Sequence, residues 1–273
     1  MVTGRTVKPS RCPHLTTKWG KNNRGASRRF FVADVRRIPY KKGMKKNMRH
    51  IFDLLLAHFG PLHWWPAETP FEVCVGAILT QNTNWGNVEK AIANLKREGL
   101  LSAEALRAVP VEKLAMVIKP AGFFNVKSVR LKGFVTWLFE RYDGDLGRMF
   151  AVDWRQLREE LLMVPGIGPE TGDSILLYAG GKPSFVVDAY TRRLFSRLGL
   201  IAATAGYEEV RALFMKHLPA DVEIYNEYHA LIVQHCKMYC RKKPLCGTCF
   251  LRSLCPFSRH GLDPVSSPRL RPV

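Results

Sequence analysis

MVPGIGPETGD, residues 163–173, stands between two helical stretches and is followed by SFVVDAYTRRL, residues 184–194. Gly166 and Gly168 permit a tight turn that side chains would block. The turn opens a helix whose first backbone N–H groups lack intrahelical partners, and the helix dipole adds to their attraction for a phosphate oxygen. Two helices joined in this way can grip a nucleic-acid backbone without reading bases. An ordinary corner between two helices is the plain alternative, and a lone Gly-x-Gly would leave it favoured. The context here is more specific. Asp153 with Gln156 has the form of a capping box ahead of Leu157, Leu161 and Leu162, so a capped helix leads into the turn.

Outward from the turn, apolar residues recur at three- and four-residue spacing almost everywhere. Ile51, Leu54, Leu55 and Phe59 make one stripe; Val88, Ile92 and Leu95 make another, ending near Gly99. Leu131, Phe134, Val135 and Leu138 follow, then Val210, Leu213, Phe214 and Leu218, then Tyr225, Tyr228, Ile232 and His235. Alternating strand patterns are scarce, which predicts an all-α chain with short connections. The 273 residues, 47% of them hydrophobic, suffice for one large core or two smaller ones.

The chain carries 42 Lys and Arg against 23 Asp and Glu, a net charge of +19, which points to a polyanionic partner. The charge is uneven. Residues 1–49 hold fifteen basic side chains and one acid, Asp34, so that +14 lies there and +5 in the remainder. Residues 1–45 read as a basic, disordered extension, with an over-called start (Met44 and Met48 are plausible starts) or a targeting peptide as the alternatives, and 259–273 as a disordered tail. No apolar stretch approaches the roughly 20 residues of a bilayer span, and the N-terminus lacks the apolar block of a secretory signal. These features predict a cytoplasmic, nucleoid-associated protein with no membrane partner.

Five of the seven cysteines cluster late, at Cys236, Cys240, Cys246, Cys249 and Cys255. Such a cluster in a protein without a secretory signal reads as metal ligation rather than a disulfide framework. Four thiolates suit either zinc or an iron–sulfur cluster. Cys74 reads as a core cysteine. Two aromatic stretches also stand out, His-Trp-Trp-Pro at 63–66 and LTQNTNW at 79–85. Isolated Trp residues are core material by default, but two adjacent ones cannot share a direction along a helix, so at least one is available to a cleft.

Taken in order and spacing, the hairpin, the Asp of FVVDAYTRR and the cysteine cluster resemble the helix-hairpin-helix DNA glycosylases of the endonuclease III superfamily. The resemblance runs from about residue 50 to residue 256. It implies a six-helix barrel over 67–183 that carries the hairpin. It also implies a second helical domain, built from 46–66 and 184–258, with an iron–sulfur loop. Double-stranded DNA containing a damaged base would lie across the cleft, bound by a monomer. The hairpin residues Gly166, Gly168, Glu170 and Thr171 would face the DNA, and Gln81 matches the residue that enters the duplex to fill the vacated space.

Asp188, by itself a good helix N-cap, matches the family's catalytic carboxylate. Cleavage of an N-glycosidic bond builds positive charge on the sugar, and a fixed carboxylate stabilises it. Members that also cut the strand carry a lysine two residues after the second glycine, where this chain has Glu170. A glutamate cannot form an imine, so water becomes the nucleophile and an abasic site the product. His-Trp-Trp-Pro, FEVCVGAILTQNTNW and FFNVKSVRLKGF resemble the branch typified by 3-methyladenine DNA glycosylases. In that branch Trp64, Trp65, Pro66 and Trp85 would sandwich the flipped base. An alkylated purine is cationic, so aromatic faces attract it by about 0.5–2 kcal/mol each, and it departs without a strong acid. The family's cysteine gaps are six, two and five; here they are five, two and five from Cys240, so Cys240, Cys246, Cys249 and Cys255 would hold a [4Fe–4S] cluster, with Cys236 as the alternative first ligand.

Other readings are a glycosylase for oxidised or mismatched bases, with or without lyase activity, and a non-catalytic iron–sulfur DNA-binding protein.

Overall fold

The structure, a computed structural model, describes residues 43–62, 64 and 67–260, without the side chains of Lys45, Lys46 and His260. Almost all of the basic extension lies outside these residues, as do Trp65, Pro66 and the tail beyond residue 260.

Helix formation follows the capping signals. Helix α1 (Met44–Phe59) is followed by α2 (Pro70–Leu79), where Thr69 accepts from the Glu72 N–H and Pro70 occupies the first turn. Asn84 caps α3 (Trp85–Arg97), and Ser102 caps α4 (Ala103–Ala108). Helix α5 (Val111–Val117) leads through a 3₁₀ turn at Lys119–Ala121 into α6 (Phe124–Tyr142). Asp145 and Asp153 cap α7 (Leu146–Ala151) and α8 (Trp154–Met163). The expected capping box is only half made. Asp153 accepts from the Arg155 and Gln156 N–H groups, but the Gln156 side chain turns to the next turn, its amide N–H donating to Glu160 Oε1 at 3.0 Å, instead of offering its oxygen to the Asp153 N–H.

Beyond the glycine turn, α9 (Pro169–Ser174) runs directly into a π-helical segment, Ile175–Ala179. Residues 181–187 form no regular secondary structure, and α10 (Ala189–Arg197), α11 (Tyr207–His217), α12 (Val222–Met238) and α13 (Pro256–His260) follow among the described residues. No strand occurs among the described residues, and none of their helices is long and apolar enough to cross a membrane.

Two hydrophobic cores result. One is built from α2 to α9 and centres on Val88, Ile92, Leu95, Phe134, Leu138 and Leu161. The other joins α1 to α10, α11 and α12 through Ile51, Leu55, Phe195, Phe214, Tyr228 and Ile232. Phe185, from the irregular segment before α10, stacks on Phe214 at 4.0 Å in the second core. Each such buried side chain contributes about 1.5–3 kcal/mol. The helix that follows the hairpin serves both cores, giving Ile175 and Leu176 to the first and Leu177 to the second.

A buried ionic network spans the same joint. Asp173, fully buried, accepts from Arg158 of α8 at 2.8 and 3.0 Å, and from the Tyr207 hydroxyl of α11 at 2.8 Å. It also accepts from Ser184, and Arg211 of α11 lies 3.3 Å away. A buried carboxylate with two guanidinium partners and two hydroxyls is compensated, whereas removal of one partner would strand its charge.

Candidate active site

Asp188 closes the buried run Phe185, Val186, Val187 and caps α10, its Oδ1 accepting from the Thr191 N–H at 2.7 Å. Its Oδ2 faces His229 Nε2 at 3.6 Å, beyond hydrogen-bond range but close for charge interaction; the Asp188 side chain is 12% exposed and that of His229 8%. The other imidazole nitrogen, Nδ1, meets the Tyr178 hydroxyl at 2.5 Å. Tyr178 lies on the π-helical segment, a distortion frequent at functional sites. Burial alone would raise the Asp188 carboxyl; His229 and the Thr191 N–H outweigh it and hold the group below its ordinary value.

Glu170 sits in the first turn of α9, exposed to solvent. The Tyr207 hydroxyl explains its position. Its proton goes to Asp173, and its oxygen lies 3.3 Å from the Pro169 carbonyl and accepts from the Val187 N–H at 3.4 Å, which brings the residues immediately before Glu170 and Asp188 to one point. Desolvation, and then the Asp188 charge, push the Glu170 carboxyl up to about 7, with His229 acting in the opposite direction.

Three of the expected DNA-facing residues converge at Gln81. Its Nε2 donates to the Gly166 carbonyl and to Thr171 Oγ1, both at 2.9 Å, while Arg130 donates to its Oε1. Gly166 has φ +88, and a Cβ there would stand 2.5 Å from the Arg130 side chain, so glycine is required for conformation and for space. Gly168 occupies the N-cap of α9 and supplies no side-chain acceptor, which leaves the first N–H groups of that helix open.

The aromatic residues lie apart from this convergence. Lys237 Nζ on α12 stands 5.3 Å over the Trp64 ring. Trp85 donates to Glu89 at 2.8 Å and lines a groove with Ala67, Glu72, Ile92 and Lys96. Neither that groove nor the Trp64–Lys237 contact includes Asp188, Glu170 or His229.

Cys240, Cys246, Cys249 and Cys255 wall one cavity, together with Arg197, His235 and Tyr239. Cys236 is not among its lining residues; its thiol points to the Tyr190 carbonyl at 3.5 Å. The Cys236 thiol and then the guanidinium of Arg197, 3.4 Å away, favour the thiolate of Cys240, against desolvation. No three His, Cys, Asp or Glu side chains among the described residues converge to hold a single metal ion. Four sulfurs ring a cavity instead of a point, the donor set that a cluster requires. Lys237, Arg241, Lys242 and Lys243 are exposed beside it, and Cys74 is fully buried in the first core.

Sequence reasoning missed His229, Tyr178, Arg130 and Tyr207. His229 carried a weak signal, since it falls four residues after Tyr225 on the buried face of α12. Phe123 was missed as well. It is 66% exposed, adopts φ +48 and begins an apolar surface with Val126 and Val129, on the helix whose Arg130 holds Gln81.

The chain is similar to known proteins in sequence and in fold. A proposed DNA repair glycosylase of Methanocaldococcus jannaschii is 54% identical over 207 residues, 75% of this chain and 94% of the relative. A non-covalent endonuclease III–DNA complex superposes with a TM-score of 0.69 at 25% identity, over 79% of this chain and 96% of that one. The H. pylori 3-methyladenine DNA glycosylase bound to 1,N6-ethenoadenine gives a TM-score of 0.61 at 28% identity, over 71% and 97%. Residues 75–220 match the HhH-GPD superfamily, and the chain belongs to that superfamily of base excision DNA repair proteins.

Proposed function

We propose that this protein is a monofunctional DNA glycosylase that hydrolyses the N-glycosidic bond of a flipped alkylated purine and leaves an abasic site. The observation that carries this reading is the Asp188 carboxylate, fixed at one oxygen by Thr191 and faced at the other by His229. Such a group stays ionised next to a deoxyribose and stabilises the positive charge that develops as the base departs. Flipping is required because the bond is unreachable within the stack. Glu170, which cannot form an imine, supports hydrolysis over strand cutting.

DNA would lie across the face where the hairpin of residues 163–173 meets Gln81, between a barrel of residues 67–183 and a domain of 46–66 with 184–258. The open N–H groups of α9 would hold a phosphate. Gln81 would leave Gly166 and Thr171 to fill the space of the extruded base, with Phe123 as an apolar wedge beside it. Trp64, Trp65, Pro66 and Trp85 would surround the base; since Lys237 already covers one face of Trp64, the base would take the other face or displace the lysine. Cys240, Cys246, Cys249 and Cys255 would hold a [4Fe–4S] cluster. When bound, that group would staple the loop and present Lys237, Arg241, Lys242 and Lys243 to phosphates. The reading makes the protein a monomer acting on nucleoid DNA in the cytoplasm.

The test is release of free base and strand cutting, scored separately, on duplex DNA carrying N-methylated purines. Base release without cutting is expected, with Asp188→Asn reducing it by about 100-fold or more. Strand cutting trapped as a covalent adduct by borohydride would overturn the monofunctional assignment. DNA binding without base release would identify a non-catalytic binding protein.

A further inference from the structure

The proposed aromatic contacts and a lone carboxylate account for bases that already carry positive charge. The structure holds a second carboxyl group, Glu170, within electrostatic reach of Asp188. The Pro169 carbonyl and the Val187 N–H, which precede Glu170 and Asp188, lie 3.3 and 3.4 Å from the same Tyr207 hydroxyl oxygen. Among the described residues, no hydrogen bond or ion pair engages the Glu170 carboxyl. His229 and Tyr178 brace Asp188 from behind instead.

We propose that Glu170 is a catalytic acid that protonates the departing base, so that the site also excises neutral purine lesions. This inference rests on the glycosylase reading above and extends its substrate class.

The groups that face Glu170 are Asp188 at the start of α10, His229 on α12, Tyr178 on the π-helical segment and Tyr207 on α11. Asp173, one turn further along, is neutralised by Arg158 and Arg211. Desolvation and the anionic neighbour Asp188 keep a proton on Glu170 up to about pH 7, while Asp188 is held ionised. Two carboxyl groups whose environments separate their ionisation are the usual signature of an acid paired with an anion in glycoside cleavage.

The step balances without a co-reactant. The C1′–N9 bond breaks and its electron pair leaves with the purine, which takes the Glu170 proton at a ring nitrogen. Water adds its oxygen to C1′ and passes a proton to Asp188 and then to solvent, and solvent reprotonates Glu170.

The test compares single-turnover excision of hypoxanthine, a neutral purine, with that of 7-methylguanine, a cationic one, from otherwise identical duplexes between pH 5.5 and 8.5. For the wild type, hypoxanthine release is expected to fall above about pH 7, while 7-methylguanine release shows no such fall. Glu170→Gln should depress hypoxanthine release by about 100-fold, at least tenfold more than it depresses 7-methylguanine release. Glu170→Asp should restore part of the difference. Release of 7-methylguanine without hypoxanthine, or equal losses for both bases in Glu170→Gln, would overturn the inference and leave the glycosylase reading standing. Release of neither base would overturn both.

Discussion

His229 stands on α12 with one ring nitrogen against a phenol and the other toward a carboxylate, an arrangement that favours the ionised form of Asp188. Replacing it with leucine removes the group that opposes burial, so the Asp188 carboxyl rises. The acid limb of the pH profile for 7-methylguanine release is then expected to move to higher pH in His229→Leu, with activity partly recovered at alkaline pH. An acid limb at its wild-type position would show that His229 does not set the charge. The same linkage acts on stability: a carboxyl lowered by folding stabilises the protein above its unfolded value, and the contribution is lost as pH falls through the folded one. The N-cap role of Asp188 was legible in sequence because an aspartate that ends an apolar run and starts a helix is locally distinctive, whereas its candidate catalytic role came only from the resemblance. His229 was not, since a histidine on an apolar helical face reads as core and its partners lie 41 and 51 positions away.

Among the elements, α6 does more than fill the first core. Lys127, 1% exposed, donates to the Leu79 carbonyl at 2.8 Å and the Ala121 carbonyl at 2.7 Å, joining the end of α2 to the 3₁₀ turn. One turn later Arg130 holds Gln81. Lys127→Met would leave two carbonyls without their donor, and urea unfolding should show a loss of about 2–4 kcal/mol; a loss below about 0.5 kcal/mol would show that the bonds are replaceable. Burial, and secondarily Arg130, lower the Lys127 amine to about 8. Between that value and the ordinary lysine value the unfolded chain binds more protons, so the wild type gains stability over the variant as pH rises from 8 to 10. The helical stripes of α1, α3, α6, α11 and α12 were legible because burial imposes a 3.6-residue period. The π-helical segment was not. Its sequence, ILLYA, is compatible with an ordinary helix, and only the packing of both cores against it selects the wider turn.

At the scale of the whole molecule, charge and shape divide the work of binding. Residues 1–49 carry +14 of the net +19, while the remainder, which contains the hairpin, Asp188 and the cysteine cavity, carries +5. Sequence-independent affinity for DNA follows the number of phosphates neutralised, and each neutralised phosphate adds to the salt dependence. Lesion excision depends instead on a few fixed groups close to the sugar. Deleting residues 2–42 should therefore weaken binding to undamaged duplex and flatten its dependence on salt. Single-turnover base release at saturating enzyme should stay within about threefold of the full chain, since no assigned group is removed. The deletion retains both cores, because α1 begins at Met44 and its first core residue is Met48. Binding measured from 50 to 300 mM salt, alongside base release, separates the two contributions. If base release collapsed with a normal melting transition, the extension would have to take part in forming the site. If the salt dependence were unchanged, the DNA-binding charge would lie in the hairpin and the loop of residues 237–243.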